Sequence, residues 1–214
     1  MEITWLGHSC FRLRGREATV LTDPCDKSTG YSIGKPTADI VTVSHDHPGH
    51  NNVGAVAGEA KVVRGPGEFE IAGVLIMGIG TYHDGENGSK LGKNTAYVFE
   101  LEDVRICHLG DLGHVPTSAQ IEELGDVDIL LAPVGGHTTI GATAAAETIS
   151  LLEPKLVIPM HYGTPAVKAE LDPLDRFLKE VGAPGADSER QPKLSVTKST
   201  LPHELKVTVL DYRG

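Results

Sequence analysis

The chain has 214 residues and a formal net charge of −10, with 40% hydrophobic and 22% charged residues. That length holds one large domain, or at most two small ones, around an ordinary apolar core. The acidic balance argues against a protein held by broad attraction to a phosphate backbone, and no apolar run approaches the roughly 20 residues that span a bilayer.

In chain order, short β-type runs come first: residues 3–6, 11–13, 19–22, 40–43, 61–64, 74–77, 95–101 and 104–109, punctuated by Gly, Asp, Asn and Pro. A weak short helix is expected over residues 52–57. Gly65-Pro66-Gly67-Glu68 lacks the Gly-Lys-Ser/Thr ending of a phosphate loop. Helices are clearer in the second half. Residues 117–124 open with Thr117-x-x-Gln120, a capping-box pattern, and stop at Gly125. The continuous apolar runs 129–132 and 156–158 read as fully buried strands, flanking an Ala-rich helix over 142–152. Asp172 is the expected N-cap of a further helix with Pro173 at its first position. Leu174, Phe177, Leu178 and Val181 give that helix one apolar stripe, and Gly182 closes it. Residues 186–193 read as an exposed loop and 206–210 as a last strand. Strands first and helices interleaved later are compatible with two mixed halves that bury the apolar strands between outer helices, or with another α/β arrangement, in a single domain over residues 1–214.

Met1 leads directly into a strand-like run, and Cys10, Cys25 and Cys107 show no paired spacing. A reducing cytoplasm is the expected compartment. Histidine is the unusual residue: of ten, seven follow or interrupt apolar runs, namely His8, His45, His47, His50, His83, His108 and His161. The densest stretch is Asp39-Ile-Val-Thr-Val-Ser44-His45-Asp46-His47-Pro48-Gly49-His50-Asn51. Three imidazoles in a Pro/Gly turn after a strand can bend around a cation, which packing alone rarely requires. No Gly-x-Ser-x-Gly elbow supports a serine hydrolase.

This stretch resembles the His-x-His-x-Asp-His hallmark of the metallo-β-lactamase superfamily. Further along, Thr81-Tyr-His83-Asp, His108-Leu-Gly-Asp111 and Pro159-Met-His161-Tyr-Gly163 resemble the family's later ligand segments. Trp5-Leu-Gly-His8-Ser9, Thr22-Asp23-Pro24 and Pro133-Val-Gly-Gly-His137-Thr-Thr-Ile-Gly141 look closest to the branch containing the ascorbate-phosphate lactonase. The resemblance implies a four-layer αββα sandwich and one or two divalent metal ions, Zn first, with Mn, Fe or Ni as alternatives. It implies that His45, His47 and His83 form one metal site, that His50 and His161 form a second, and that Asp111 bridges them.

One position departs from the family. Gly49 stands where the motif has its aspartate, and His8 is the candidate substitute, with a hydrogen-bonding role for His8 as the alternative. Asp46 is expected to face solvent or support the site, Asp23 to orient a ligand histidine or form an Asp-Pro turn. His137, and with it His114, are candidates to face substrate or protonate a leaving group; His108 is expected to pack. Lys90-Leu-Gly-Lys93-Asn94 is a basic loop that either meets an anionic substrate or is solvated. The implied activity is hydrolysis of a lactone, cyclic ester or related small molecule by metal-bound hydroxide. The rivals are a phosphodiesterase or nuclease, a scaffold that has lost catalysis through Gly49, and a redox diiron role. The expected partner is a small-molecule substrate; nucleic acid is disfavoured, no membrane is expected, and a homo-oligomer is compatible with all of this.

Overall fold

The computed structural model describes residues 1–213 and folds them as two β-sheets with three α-helices. In the first sheet β1 (Glu2–Gly7), β2 (Cys10–Arg14), β3 (Thr19–Thr22), β4 (Ile40–Val43) and β5 (Lys61–Arg64) lie side by side in chain order, and the short β12 (Leu194–Ser195) adds to the outer edge of β1. The second sheet runs β6 (Gly67–Ile71), β7 (Val74–Tyr82), β8 (Lys93–Leu101), β9 (Val104–His108), β10 (Ile129–Pro133), β11 (Leu156–Met160) and β13 (Lys206–Val207). Each sheet begins antiparallel and becomes parallel. Pairing is antiparallel along β1–β2–β3 and β6–β7–β8–β9, then parallel along β3–β4–β5 and β9–β10–β11. Thus β1, β3 and β4 point one way in one sheet, and β7, β9, β10 and β11 one way in the other.

The period-2 alternation of the strands sorts side chains into two cores. Val20 pairs with Ile40, and both enter the large core between the sheets; the next pair, Leu21 and Val41, enters a smaller core on the opposite face. Strands buried on both faces read as unbroken apolar runs for this reason. Outside the second sheet lie α1 (Ser118–Leu124), α2 (Ala142–Leu152) and α3 (Leu174–Glu180), with α1 against β7 and α2 against β10 and α3. Outside the first sheet the smaller core is closed by Cys25, Tyr31, Val53 and Val56 from loops and 3-10 turns. This is the expected two-sheet sandwich, with α-helices covering the outer face of the second sheet and loops and 3-10 turns that of the first. Trp5 joins it to the turn after β1: it is 1% exposed, its ring lies 5.2 Å from that of Tyr162, and its indole N–H donates to the His8 carbonyl at 3.0 Å.

Local chemistry explains both the agreements and the differences. The α1 capping box forms as expected: Gln120 N donates to Thr117 Oγ1, and Thr117 N donates to Gln120 Oε1. Asp172 does not cap α3. Pro173 is the N-cap with no side-chain bond, and the Asp172 carboxylate instead accepts from Arg176. The helix expected over 52–57 is only a 3-10 turn, Val53–Ala55, because Val56 is extended and Ala57 bridges Thr37 instead of continuing the turn. β6 is a strand that composition alone did not mark. Glu68-Phe69-Glu70-Ile71 alternates, and Ala72 and Gly73, both at positive φ, make the two-residue turn into β7. The last strand stops at Val207; Leu210 makes an isolated bridge with Gln191.

Candidate metal centre

Strand direction assembles the site. His8 follows β1, Asp23 follows β3, His45, His47 and His50 follow β4, His83 follows β7, Asp111 follows β9 and His161 follows β11. All of these strands end at the same edge of the sandwich. Side chains that must leave the pleat there to converge are held in uncommon backbone: His8 (φ 52°), Asp23 (φ 38°) and His161 (φ 52°) are all left-handed. Such conformations cost of order 1–3 kcal/mol each and persist where the surroundings fix them.

Asp111 is the hub. It is 3% exposed, and its Oδ2 lies 3.1 Å from His50 Nε2, 3.4 Å from His83 Nε2, 3.4 Å from His161 Nε2 and 3.8 Å from His45 Nε2. Burial alone would raise its pKa, but the imidazoles of His161 and His50 hold it well below the usual carboxylate range. Its backbone N–H donates to Asn94 Oδ1 at 3.0 Å, and Ser9 Oγ donates to its Oδ1 at 3.4 Å. Gly110 must be glycine here: φ is 57°, and a Cβ would sit 2.5 Å from Asn94 Oδ1 and 2.6 Å from Ser44 Cβ.

Three of the imidazoles have their tautomer set by a protein acceptor. His83 Nδ1 donates to the Thr138 carbonyl at 2.9 Å, and His50 Nδ1 donates to Asp23 Oδ2 at 2.9 Å. Ser44 Oγ gives its single proton to Asp23 Oδ2 at 2.5 Å, so it can only accept from His45 Nδ1, 2.9 Å away. One buried aspartate thus orients two histidines, one directly and one through a serine, and turns their Nε2 atoms to Asp111. Burial and the neighbouring His50 push the His45 pKa down to about 3, which leaves its ring neutral with a free lone pair. Burial alone would lower His50 as well, but Asp111 and Asp23 on its two sides push it up to about 10.

The donor set fits a metal. His8 with His50 and His161, His45 with His47 and His83, and His45 with His50 and Asp111 each bring their ligand atoms within 4.8 Å of one another. His45 Nε2, His161 Nδ1 and His8 Nδ1 are buried without a hydrogen-bond partner. Orphaned imidazole nitrogens beside two buried carboxylates call for cationic charge. His47 is exposed, at the rim of the cluster.

Other candidates fall outside the cluster. His137 is exposed, with Nε2 3.9 Å from Asp172 Oδ1, in the loop whose Thr138 carbonyl fixes His83. His114 is not free for substrate: its Nε2 accepts from Tyr82 N and its Nδ1 donates to Val115 O. His108 packs as expected, its Nε2 donating to Ser9 O at 2.8 Å and its Nδ1 accepting from Gly110 N. Asp46 is exposed and accepts from Asn51. Lys90 pairs with Glu86, Lys93 starts β8, and Asn94 is buried beneath Asp111. Ser44, Asn94 and Thr138 are the supporting groups that sequence reasoning missed; only the adjacency of Ser44 to His45 gave a signal. Burial pushes Cys25 up to about 11 and Cys107 up to about 12, and Cys10 well above the ordinary thiol range, so none is an activated nucleophile.

The sandwich and its edge of convergent imidazoles around one carboxylate define the class of the metallo-hydrolases. The chain belongs to the β-lactamase superfamily: the family model for the β-lactamase superfamily domain matches residues 2–161. It is 32% identical over 213 residues to a UPF0173 metal-dependent hydrolase of Thermococcus onnurineus, a match covering 85% of this chain and 92% of that one. A similar protein of Pyrococcus horikoshii, also called a UPF0173 metal-dependent hydrolase, is 29% identical over 208 residues, covering 83% of this chain and 92% of the other. Among solved structures, a Thermotoga maritima protein described as a candidate Zn-dependent hydrolase of the metallo-β-lactamase superfamily superposes with a TM-score of 0.81 at 42% identity, covering 99% of each chain. The chain is a metal-dependent hydrolase of this superfamily.

Proposed function

We propose that His45, His47 and His83 hold one divalent ion, that His50 and His161 hold a second, and that Asp111 bridges the two. Zinc is the metal of this reading, since imidazole and carboxylate in a compact site suit it well. The substrate is a lactone or related small cyclic ester. One observation carries the reading: His45, His50 and His83 each commit Nδ1 to a protein acceptor and turn Nε2 toward Asp111 Oδ2. When bound, such ions supply Lewis acidity and lower the pKa of a water from 15.7 toward about 7.

The chain's own residues do the rest. Asp23 and Ser44 hold the imidazoles in register, and Asn94 holds the Asp111 backbone. His137, exposed beside Asp172, is the proposed donor of a proton to the leaving alkoxide of an opened ring. The likeness of Trp5–Ser9, Thr22–Pro24 and Pro133–Gly141 to the lactonase branch supports the ester class. The net charge of −10 weighs against a polynucleotide. Three buried thiols outside any disulfide support a reducing compartment, and the cytoplasm is the one proposed.

The test combines metal analysis and turnover. His47→Ala and Asp111→Ala are expected to lose bound metal while keeping the fold, and full occupancy in His47→Ala would sink the ligand assignment. Lactone hydrolysis by the purified chain should stop with a chelator, return with metal, and rise with pH through one ionisation near neutrality. Faster turnover of phosphodiesters than of lactones would overturn the substrate class while leaving the metal reading intact.

A further inference from the structure

We propose that His8 is the third imidazole ligand of the second ion, standing where the superfamily motif carries an aspartate and this chain carries Gly49. The inference rests on the two-ion reading above. A Cβ built on Gly49 would lie 2.9 Å from His8 Nε2 and 3.2 Å from His8 Cδ2. The His8 ring therefore takes the space into which a side chain at position 49 would grow, and the glycine is what lets it approach.

The placement of His8 is specific. Its ring centroid is 4.3 Å from that of His161 and 4.9 Å from that of His50, and the three offer ligand atoms within 4.8 Å of one another. The residue is 7% exposed, and its Nδ1 is buried without a partner. Its backbone is fixed from two sides, because its carbonyl accepts from the Trp5 indole at 3.0 Å and from His161 N at 3.3 Å. A left-handed φ of 52° at a non-glycine residue is then the cost of aiming this ring at the site rather than away from it.

The exchange has chemical consequences. A neutral imidazole in place of a carboxylate removes one negative charge from the second site and leaves Asp111 as its only anionic ligand. Imidazole-rich sites favour Zn, Ni and Cu over the harder Mn and Mg, which prefer carboxylate oxygen. The second ion of this chain is thus expected to be more selective for Zn over Mn than one held through an aspartate.

The experiment exchanges the two positions. Metal content is measured after dialysis against zinc for the unmutated chain, His8→Gly, and His8→Gly/Gly49→Asp. Glycine keeps the left-handed backbone open to residue 8, and near-UV circular dichroism of Trp5 checks the fold. Two ions are expected in the unmutated chain, one in His8→Gly, and two again in the double variant, with its second site now accepting Mn. Two ions retained in His8→Gly, or no recovery in a folded double variant, would overturn the role of His8 alone. Fewer than two ions in the unmutated chain would overturn the two-ion reading beneath it. A second measurement needs no variant: in cadmium-loaded protein, nuclear magnetic resonance should show scalar coupling between the metal and a ring nitrogen of His8. Coupling to His50 and His161 without coupling to His8 would overturn the assignment.

Discussion

Ser44 shows how a residue with no chemistry of its own can govern the centre. Its hydroxyl gives its proton to Asp23 and so accepts from His45, which makes the serine an adaptor between a buried carboxylate and a candidate ligand. Ser44→Ala is expected to weaken metal affinity about 10–100-fold, as for other groups that orient a ligand; a competition titration against a chromogenic chelator reads it. Asp23→Asn should be worse than Ser44→Ala, since Asp23 serves His50 as well. Equal affinities in the two variants would contradict the shared-anchor account. Ser9 and Cys10 are the nearest competitors for a covalent route. Ser9 is buried with its hydroxyl on Asp111, and the Cys10 thiol is suppressed by burial. Ser9→Ala and Cys10→Ala should each retain most activity, and an acyl-enzyme trapped on either would replace the hydrolytic mechanism.

Elements hold these residues through their ends. Asp128, just before β10, accepts from Arg105 N at 3.0 Å, Lys155 Nζ at 3.0 Å and Lys198 Nζ at 2.7 Å. It ties the start of β9, the start of β11 and a distant 3-10 turn together. Burial would raise its carboxyl, but the Arg105 amide and the two lysines hold it below the ordinary range. A depressed folded pKa stabilises above the unfolded value of about 3.9 and loses that stabilisation as pH falls through the lower folded value. Asp128→Asn should therefore cost about 1.5–3 kcal/mol near neutrality, and the difference from the unmutated chain should shrink in acid; urea melts at neutral and acid pH would show it. At α1, Thr117→Ala should cost about 1 kcal/mol through the lost cap, with little effect on the metal.

At the scale of the whole molecule, the centre is a clasp between the two sheets. His8, Asp23, His45, His47 and His50 come from the first, and His83, Asp111 and His161 from the second. An ion bound to both groups binds the folded chain only, so metal must raise thermal stability. At a free concentration of 100 times Kd one site adds about 2.7 kcal/mol, which for a chain of this size corresponds to roughly 5–11 °C in Tm. Calorimetry with zinc and with a chelator should show the difference, and His47→Ala should show less of it. A Tm indifferent to metal in the unmutated chain would deny that the centre spans both sheets.

Much of this was legible in the sequence by itself. Apolar runs such as Ile40–Val43 declared strands because both faces are buried, and the histidines behind them declared a metal because imidazoles in a Pro/Gly turn have little other use. The capping box at Thr117 and the glycine after α1 are local contacts, closed within a few residues, and so they were read correctly. The tertiary structure alone decided what depends on residues far apart in the chain. Asp172 was expected to cap the helix behind it, but its backbone N–H is tied to the distant Gly135 carbonyl, and His114 was turned from substrate by the backbone of Tyr82. That Asp23 reaches Ser44 and His50, that Asn94 sits beneath Asp111, and that His8 fills the space beside Gly49 are consequences of strand order and direction. Composition and periodicity set which face of a strand is buried, but the meeting of two loops from different strands is a long-range contact, and only the packed sheets bring it about.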